Sequence, residues 1–332
     1  MKLTNLAIFF LLIVFPFIFM NGIKAQLYHE DTKLRVYYDQ VIDNAVQDAA
    51  FIWAGYQKKA SYDSLYSADS AREVAAKTLT DSLFYSMGVY GDPSGMARIR
   101  SAVPVILFLE EDGYYLYGLT EYKGPDGYAI IDYCWYPRHP YVGEGITGSY
   151  LIRYTLGDKV YVYDYASGQE TVGLYSDFTH VIPDFGSKES FEVLRLSAVS
   201  KTIEKDLKGF IGQFNLISRN MGVTYEFHFP RIDESDWRRA LVDQGILVFA
   251  QGFPVLTGNQ YEMEAFGGAR IMRAPGLVGY TVDGIKTYCR ENCSRYLNAS
   301  LAPGFDPDAI LFFSTAVEAA SNGYYPCDVC RP

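Results

Sequence analysis

Four of the five cysteines in this 332-residue chain fall near its end: Cys289 and Cys293 in KTYCRENCSRY, Cys327 and Cys330 in GYYPCDVCRP. The spacing is C-x3-C, an insert of 33 residues, then C-x2-C. Two close thiol pairs of this kind suit one tetrahedral zinc ion. Each pair grips the metal from a tight turn, and the insert folds back to bring the pairs together. The same four residues can instead close as two disulfides where the surroundings are oxidising. Within the insert, STAVEAASNG reads as a short helix stopped at Gly323, which delivers the second pair in a turn after Pro326. The fifth cysteine, Cys134 in IIDYCWY, reads as a buried strand residue, because an unpaired cysteine behaves as a small hydrophobe.

Other chemistry is sparse. His29, His139, His180 and His228 are isolated, and none belongs to a metal-binding pair such as HExxH. There is no G-x-S-x-G elbow and no Walker-type phosphate loop, and the acidic residues are scattered. No catalytic residue is assigned, and the chain reads as a non-enzyme. A net charge of -10 argues against general nucleic-acid binding, since a phosphate backbone is gripped mainly by lysine and arginine. Any such contact needs a local basic patch, and Lys286, Arg290, Arg295 and Arg331 around the cysteines supply one.

The elements that must carry these residues begin with an unbroken apolar run from Leu6 to Met20, preceded by Lys2. It reads as a membrane span over residues 6–23, short but long enough, with the rest of the chain outside the cytoplasm. The alternative is a secretory signal cut after Ala25. Beyond it, Leu34, Tyr38, Val41, Ala45, Ala49, Ile52 and Tyr56 recur at helical spacing. A second helix follows in SADSAREVAAKTLTDSLFYS, with Ser and Asp near its start suited to a cap. From Val103 the runs VPVILFL, YYLYGLTEY, YAIIDYCWY, YLIRYTL and KVYVYDY, separated by turn signals, predict an antiparallel meander of four or five strands.

A long helix is expected through Leu196, Val199, Ile203, Leu207, Phe210, Phe214, Ile217 and Met221. A strand at VTYEFHF comes next, then a helix capped at Asp233 and stopped at Gly245, then strands at ILVFAQ and QYEMEAFGG. The fold class is α+β. The expected organisation is an anchor or signal over 1–25, a helical stalk over 26–100, an α+β ectodomain over 101–275 and a four-cysteine module over 276–332.

Two resemblances add to this reading. The segment GIKTYCRENCSRYL…AILFFSTAVEAASNGYYPCDVCRP resembles the Ada-type zinc module of bacterial methylphosphotriester-repair proteins in both cysteine spacings, the aromatic strand, the Glu-Ala-Ala helix and the closing Cys-Arg-Pro. The resemblance implies zinc on Cys289, Cys293, Cys327 and Cys330, and would give Cys289 the role of methyl acceptor from DNA. The apolar N-terminus with its internal Pro16, running into Tyr…Asp-Asn-Ala-Val…Asp-Ala-Ala, resembles pseudopilin-like membrane proteins of Tad-type secretion systems. Together they imply a membrane-anchored envelope or secretion-apparatus component, with envelope proteins or further copies as partners. The other reading is DNA handling through the zinc module.

Overall fold

A computed structural model of the chain describes residues 3–60, 67–144, 149–220, 226–229, 231–253, 264–270, 277–282, 284–290, 293–299, 304–305, 310–313 and 316–332. The chain opens on α1 (Leu3–Ala60), α2 (Ala68–Ser86) and α3 (Pro93–Ser101). Seven strands follow: β1 (Val105–Glu110), β2 (Gly113–Lys123), β3 (Ala129–Trp135), β4 (Tyr141–Glu144), β5 (Tyr150–Tyr154), β6 (Lys159–Asp164) and β7 (Gln169–Leu174). Next come α4 (Lys188–Asn220), α5 (Glu234–Ala240), β8 (Gly245–Gln251) and β9 (Glu264–Arg270). The C-terminal part holds β10 (Leu277–Val282), β11 (Ile285–Arg290), α6 (Ser294–Ala299), β12 (Leu311–Phe313), α7 (Ala316–Ser321) and β13 (Tyr325–Pro326).

The expected α+β class holds, with antiparallel strands through the body. The meander is divided, however: β1, β2 and β3 join β8 and β9 in a five-stranded sheet of order β3-β2-β1-β8-β9, while β4 to β7 form a separate four-stranded sheet. The central strands explain the division. Their residues are apolar at successive positions, as befits strands covered on both faces. On one face Ile106, Phe108, Ile246, Val248 and Ala250 pack with α1 and α2. On the other, Val105, Leu107, Leu109, Leu247 and Phe249 share a second core with α4 and with Ile152, Tyr154, Val160 and Val162 of the smaller sheet. Gly118 in β2 permits the close approach of α4, because a Cβ there would stand 2.7 Å from the Phe210 ring and 2.6 Å from the Pro104 carbonyl.

The periodic stripe of α1 becomes buried where it meets this sheet. Tyr38, Val41, Ala45 and Ala49 are buried as their spacing required, together with Ile42, Val46, Ala50 and Trp53. The helices expected to form a stalk over 26–100 therefore lie against the sheet in the first core. Earlier in α1 the picture reverses: Phe10, Ile13, Phe15, Phe17, Ile18, Phe19 and Met20 are exposed. The expected span over 6–23 is helical in its backbone. Among the described residues, however, no helix is long and apolar enough to cross a membrane, and the side chains at 3–9, 11 and 12 lie outside the described ones. The single-pass anchor is thus not supported by the structure.

α2 begins in a reciprocal cap. The Ser70 backbone N–H donates to Ser67 Oγ and the Ser67 N–H donates to Ser70 Oγ, both at 3.0 Å. Each bond satisfies a donor that the helix cannot use internally. Ser67→Ala is expected to lower stability by about 1 kcal/mol in urea unfolding, with Ser67→Thr losing less; no difference between the two would remove the cap's role.

Several local expectations need correction. Gly245 does not stop α5, which ends at Ala240; it opens β8, paired with Arg270. A Cβ on Gly245 would sit 2.7 Å from the Ala269 carbonyl, so the glycine serves close strand pairing. Asp233 occupies the cap position of α5 without a side-chain cap bond. Residues 226–229 are not a strand, and the rest of that expected strand, 223–225, lies outside the described residues. Cys134 is in β3 as expected but only half-buried.

Candidate metal centre

The four C-terminal cysteines come together through one small sheet of order β12-β10-β11-β13. β10 and β11 form a hairpin that reverses near Gly284, whose φ of 80° suits glycine. Cys289 lies one residue before the end of β11, opposite Val278. The Cys293 N–H donates to the Arg290 carbonyl at 2.9 Å, and α6 starts at Ser294.

The second pair arrives on β13, which runs parallel to β11. The Cys327 N–H donates to the Tyr288 carbonyl at 2.9 Å, and the Arg331 N–H closes the following turn onto the Cys327 carbonyl at 3.1 Å. The Arg290 N–H points at Cys330 Sγ, 3.4 Å away. Both thiol pairs are therefore tied to β11. The opposite face of the sheet is held by Tyr288, Phe313, Ala319 and Tyr324. Gly279 makes room there, since a Cβ would meet the Phe313 ring at 2.5 Å and the Tyr324 ring at 2.7 Å.

The ligand atoms of Cys289, Cys293, Cys327 and Cys330 all lie within 4.8 Å of one another. No pair is joined as a disulfide. A zinc–sulfur bond of about 2.3 Å places tetrahedral sulfurs about 3.8 Å apart. Cys293 Sγ and Cys327 Sγ stand at 3.8 Å. Cys289, Cys293 and Cys327 are buried, and Cys330 is half-buried. Four thiols converging within 4.8 Å, one pair at the tetrahedral separation, under a cover of Val278, Tyr280 and Tyr296 fit zinc binding.

The surroundings of the sulfurs differ. Burial pushes the Cys289 thiol well up, and its contacts with Cys327 and Cys293 add to the rise. Burial also raises Cys330. Cys327 is brought down to about 7: burial opposes this, but the Cys330 backbone N–H, the Cys289 thiol, the Val329 N–H and the Cys293 thiol all favour its anion. A two-residue turn that aims backbone N–H groups at its first sulfur holds a thiolate ready for a cation.

The expected basic face is partly spent within the module. Arg295 pairs with Asp328 at 2.6 Å, and Lys286 lies 5.2 Å from the centre of the Tyr324 ring. Arg331 is exposed and Arg290 is half-buried.

A polar cluster elsewhere was not evident in the sequence. His139 is isolated in the sequence, but its Nδ1 lies 2.5 Å from Asp206 Oδ2, and the Tyr114 hydroxyl donates to the same oxygen at 2.6 Å. The cluster pins α4 to β2, where Tyr114 and His139 also form a backbone bridge. The partners lie 67 and 92 positions apart, and no local spacing signals such a contact.

Neither the curated proteins nor the solved structures give a match to the chain. The N-terminal likeness to Tad-type proteins accordingly gains nothing from these comparisons. One family does match, over residues 268–332, a span that starts in β9 and takes in all four cysteines: it is described as the metal binding domain of Ada, and the C-terminal part of this chain is an Ada-type zinc-binding module.

Proposed function

We propose that the chain is a non-enzymatic scaffold whose Ada-type module holds one structural zinc on Cys289, Cys293, Cys327 and Cys330, making the C-terminus a rigid docking element. The observation that carries this reading is the convergence of four sulfurs within 4.8 Å, three of them buried. When bound, zinc would neutralise the thiolates and cross-link β11 to the turn after β13. The protein's own contribution is to pre-position the sulfurs through the backbone bonds of Cys293, Cys327 and Arg331. Metal analysis of the purified chain is expected to find about one zinc, with four thiols titratable only after chelation. Two disulfides and no zinc would overturn the reading.

The DNA-handling alternative is not favoured. Cys289, the position matching a methyl acceptor, is 0 % exposed, and two of the four cations of the basic face already have partners in the module. An envelope setting, with envelope proteins or further copies as partners, draws support from the exposed aromatic and aliphatic residues between Phe10 and Met20, since a helix apolar on every side needs an apolar cover.

A further inference from the structure

The turn between α2 and α3 brings two tyrosine rings face to face on the surface. Tyr85 stands in the last turn of α2, and Tyr90 lies just beyond the end of that helix. Their ring centres are 3.9 Å apart and their planes are tilted by 11°. The other tyrosine pairs described lie 5.5 Å or more apart and are tilted by 26° or more. Tyr85 is 63 % and Tyr90 50 % exposed, so an oxidant in solution reaches both.

The backbone holds the pair closed. Gly88, at a φ of 68°, stops α2, and the Val89 N–H donates to the Phe84 carbonyl at 3.0 Å. The Asp92 N–H then donates to the Val89 carbonyl at 2.9 Å. Tyr37 ties the same turn to α1, its hydroxyl donating to the Ser86 carbonyl at 2.7 Å. The Tyr85 hydroxyl donates to that of Tyr90, and this bond pushes the Tyr85 phenol above its ordinary value. Oxygen therefore lies beside oxygen, and the carbons ortho to each face one another across the stack.

We infer that Tyr85 and Tyr90 form an oxidative cross-linking site, coupled carbon to carbon by a one-electron oxidant of the haem peroxidase class working with hydrogen peroxide. The oxidant takes one electron and one proton from each phenol, and these two electrons and two protons reduce one peroxide to two waters. The unpaired electron of each phenoxyl occupies an orbital perpendicular to the ring and reaches the ortho carbons, so stacked rings aim the reacting lobes at each other. One carbon–carbon bond forms between the two ortho carbons. The hydrogen on each of them leaves as a proton while the oxygen of the same ring takes one up, which restores two phenols. Holding the rings together replaces the encounter of two scarce radicals. The product closes a ring across residues 85–90 and fixes the end of α2 to the turn that follows it.

The test treats the full-length chain, dilute enough to limit encounters between molecules, with a haem peroxidase and hydrogen peroxide. Trypsin then releases residues 78–98 as one peptide that carries both rings. This peptide is expected to lose two hydrogens, to yield no fragment ions from backbone bonds between Tyr85 and Tyr90, and to account for most of the dityrosine fluorescence of a chain with 29 tyrosines. Tyr85→Phe and Tyr90→Phe are each expected to lower that fluorescence at least about fivefold. Tyr128→Phe, which removes a ring that is 75 % exposed, is expected to leave it unchanged. The same peptide released before oxidation is expected to give about tenfold less of the internal cross-link. Undiminished fluorescence in both phenylalanine variants, or cross-links that map mainly to other tyrosines or between chains, would overturn the inference. An equal yield from the released peptide would also overturn it, because nearness in sequence rather than stacking would then join the rings.

Discussion

Cys327→Ser is expected to reduce bound zinc from about one to under about a tenth per chain and to open the C-terminal module to protease, while the body stays folded. A serine hydroxyl does not ionise near neutrality and is a poor zinc ligand, so the site drops to three donors. Structural zinc supplies about 10–16 kcal/mol of binding free energy in small zinc domains, and most of their folding free energy with it. The apolar groups of the module are few: its two clusters centre on Val278, Tyr280, Tyr288, Phe313 and Tyr324. Cys327 is the most telling position because its backbone also ties β13 to Tyr288 and its sulfur is the one best prepared as an anion. Cys134→Ser, in β3, is the matched control and is expected to leave zinc content unchanged. Metal analysis with limited proteolysis decides the matter. Stoichiometric zinc in Cys327→Ser would show that this sulfur is not a ligand.

The second large effect is expected at Trp53. Its side chain is fully buried in the first core, with its ring 5.1 Å from Phe108, which in turn lies 5.0 Å from Trp135. Trp53→Ala removes a buried indole, forfeits its transfer free energy and leaves a cavity that helix and sheet cannot close, at a cost of about 3–5 kcal/mol. For a body of this size the melting temperature should fall by roughly 10 °C. Trp53→Phe should cost far less. The indole Nε1 has no hydrogen-bond partner among the described residues, so phenylalanine removes a buried donor that was unsatisfied while keeping much of the aromatic contact. Thermal unfolding of the two variants tests the pair. Equal losses would mean that ring volume is not what the site requires.

The legible parts of the molecule were those governed by local chemistry. The spacing of Tyr38, Val41, Ala45 and Ala49 marks the buried face of α1, although Trp53, its largest buried residue, lies outside that run. The eight-position stripe on α4 was likewise visible, with Leu196 through Ile217 buried as expected and Met221 outside the described residues. The zinc site was legible because both halves have short cysteine spacing, and because Gly323, with φ of 80°, ends α7 where the pattern required. What stayed hidden depends on pairing at long range. Nothing in the strand sequences says that β3 and β4 belong to different sheets, since neither alternates and both carry tyrosines. The Tyr114–Asp206–His139 cluster is equally non-local. The span over residues 6–23 shows the converse limit: composition signals an apolar segment, but not what surrounds it.

The order of strands in the five-stranded sheet also has a consequence for synthesis. β1 pairs with β2 almost at once, since a two-residue turn separates them, but its other edge waits for β8, whose Leu247 opposes Leu107 roughly 140 residues later in the chain. As the chain emerges at about 5–20 residues per second, that apolar edge remains open for several seconds or more. A half-finished sheet with an unpaired central strand invites pairing with another nascent chain. The newborn protein therefore passes through an interval in which pairing with a neighbouring nascent chain competes with the native pairing of β1 to β8.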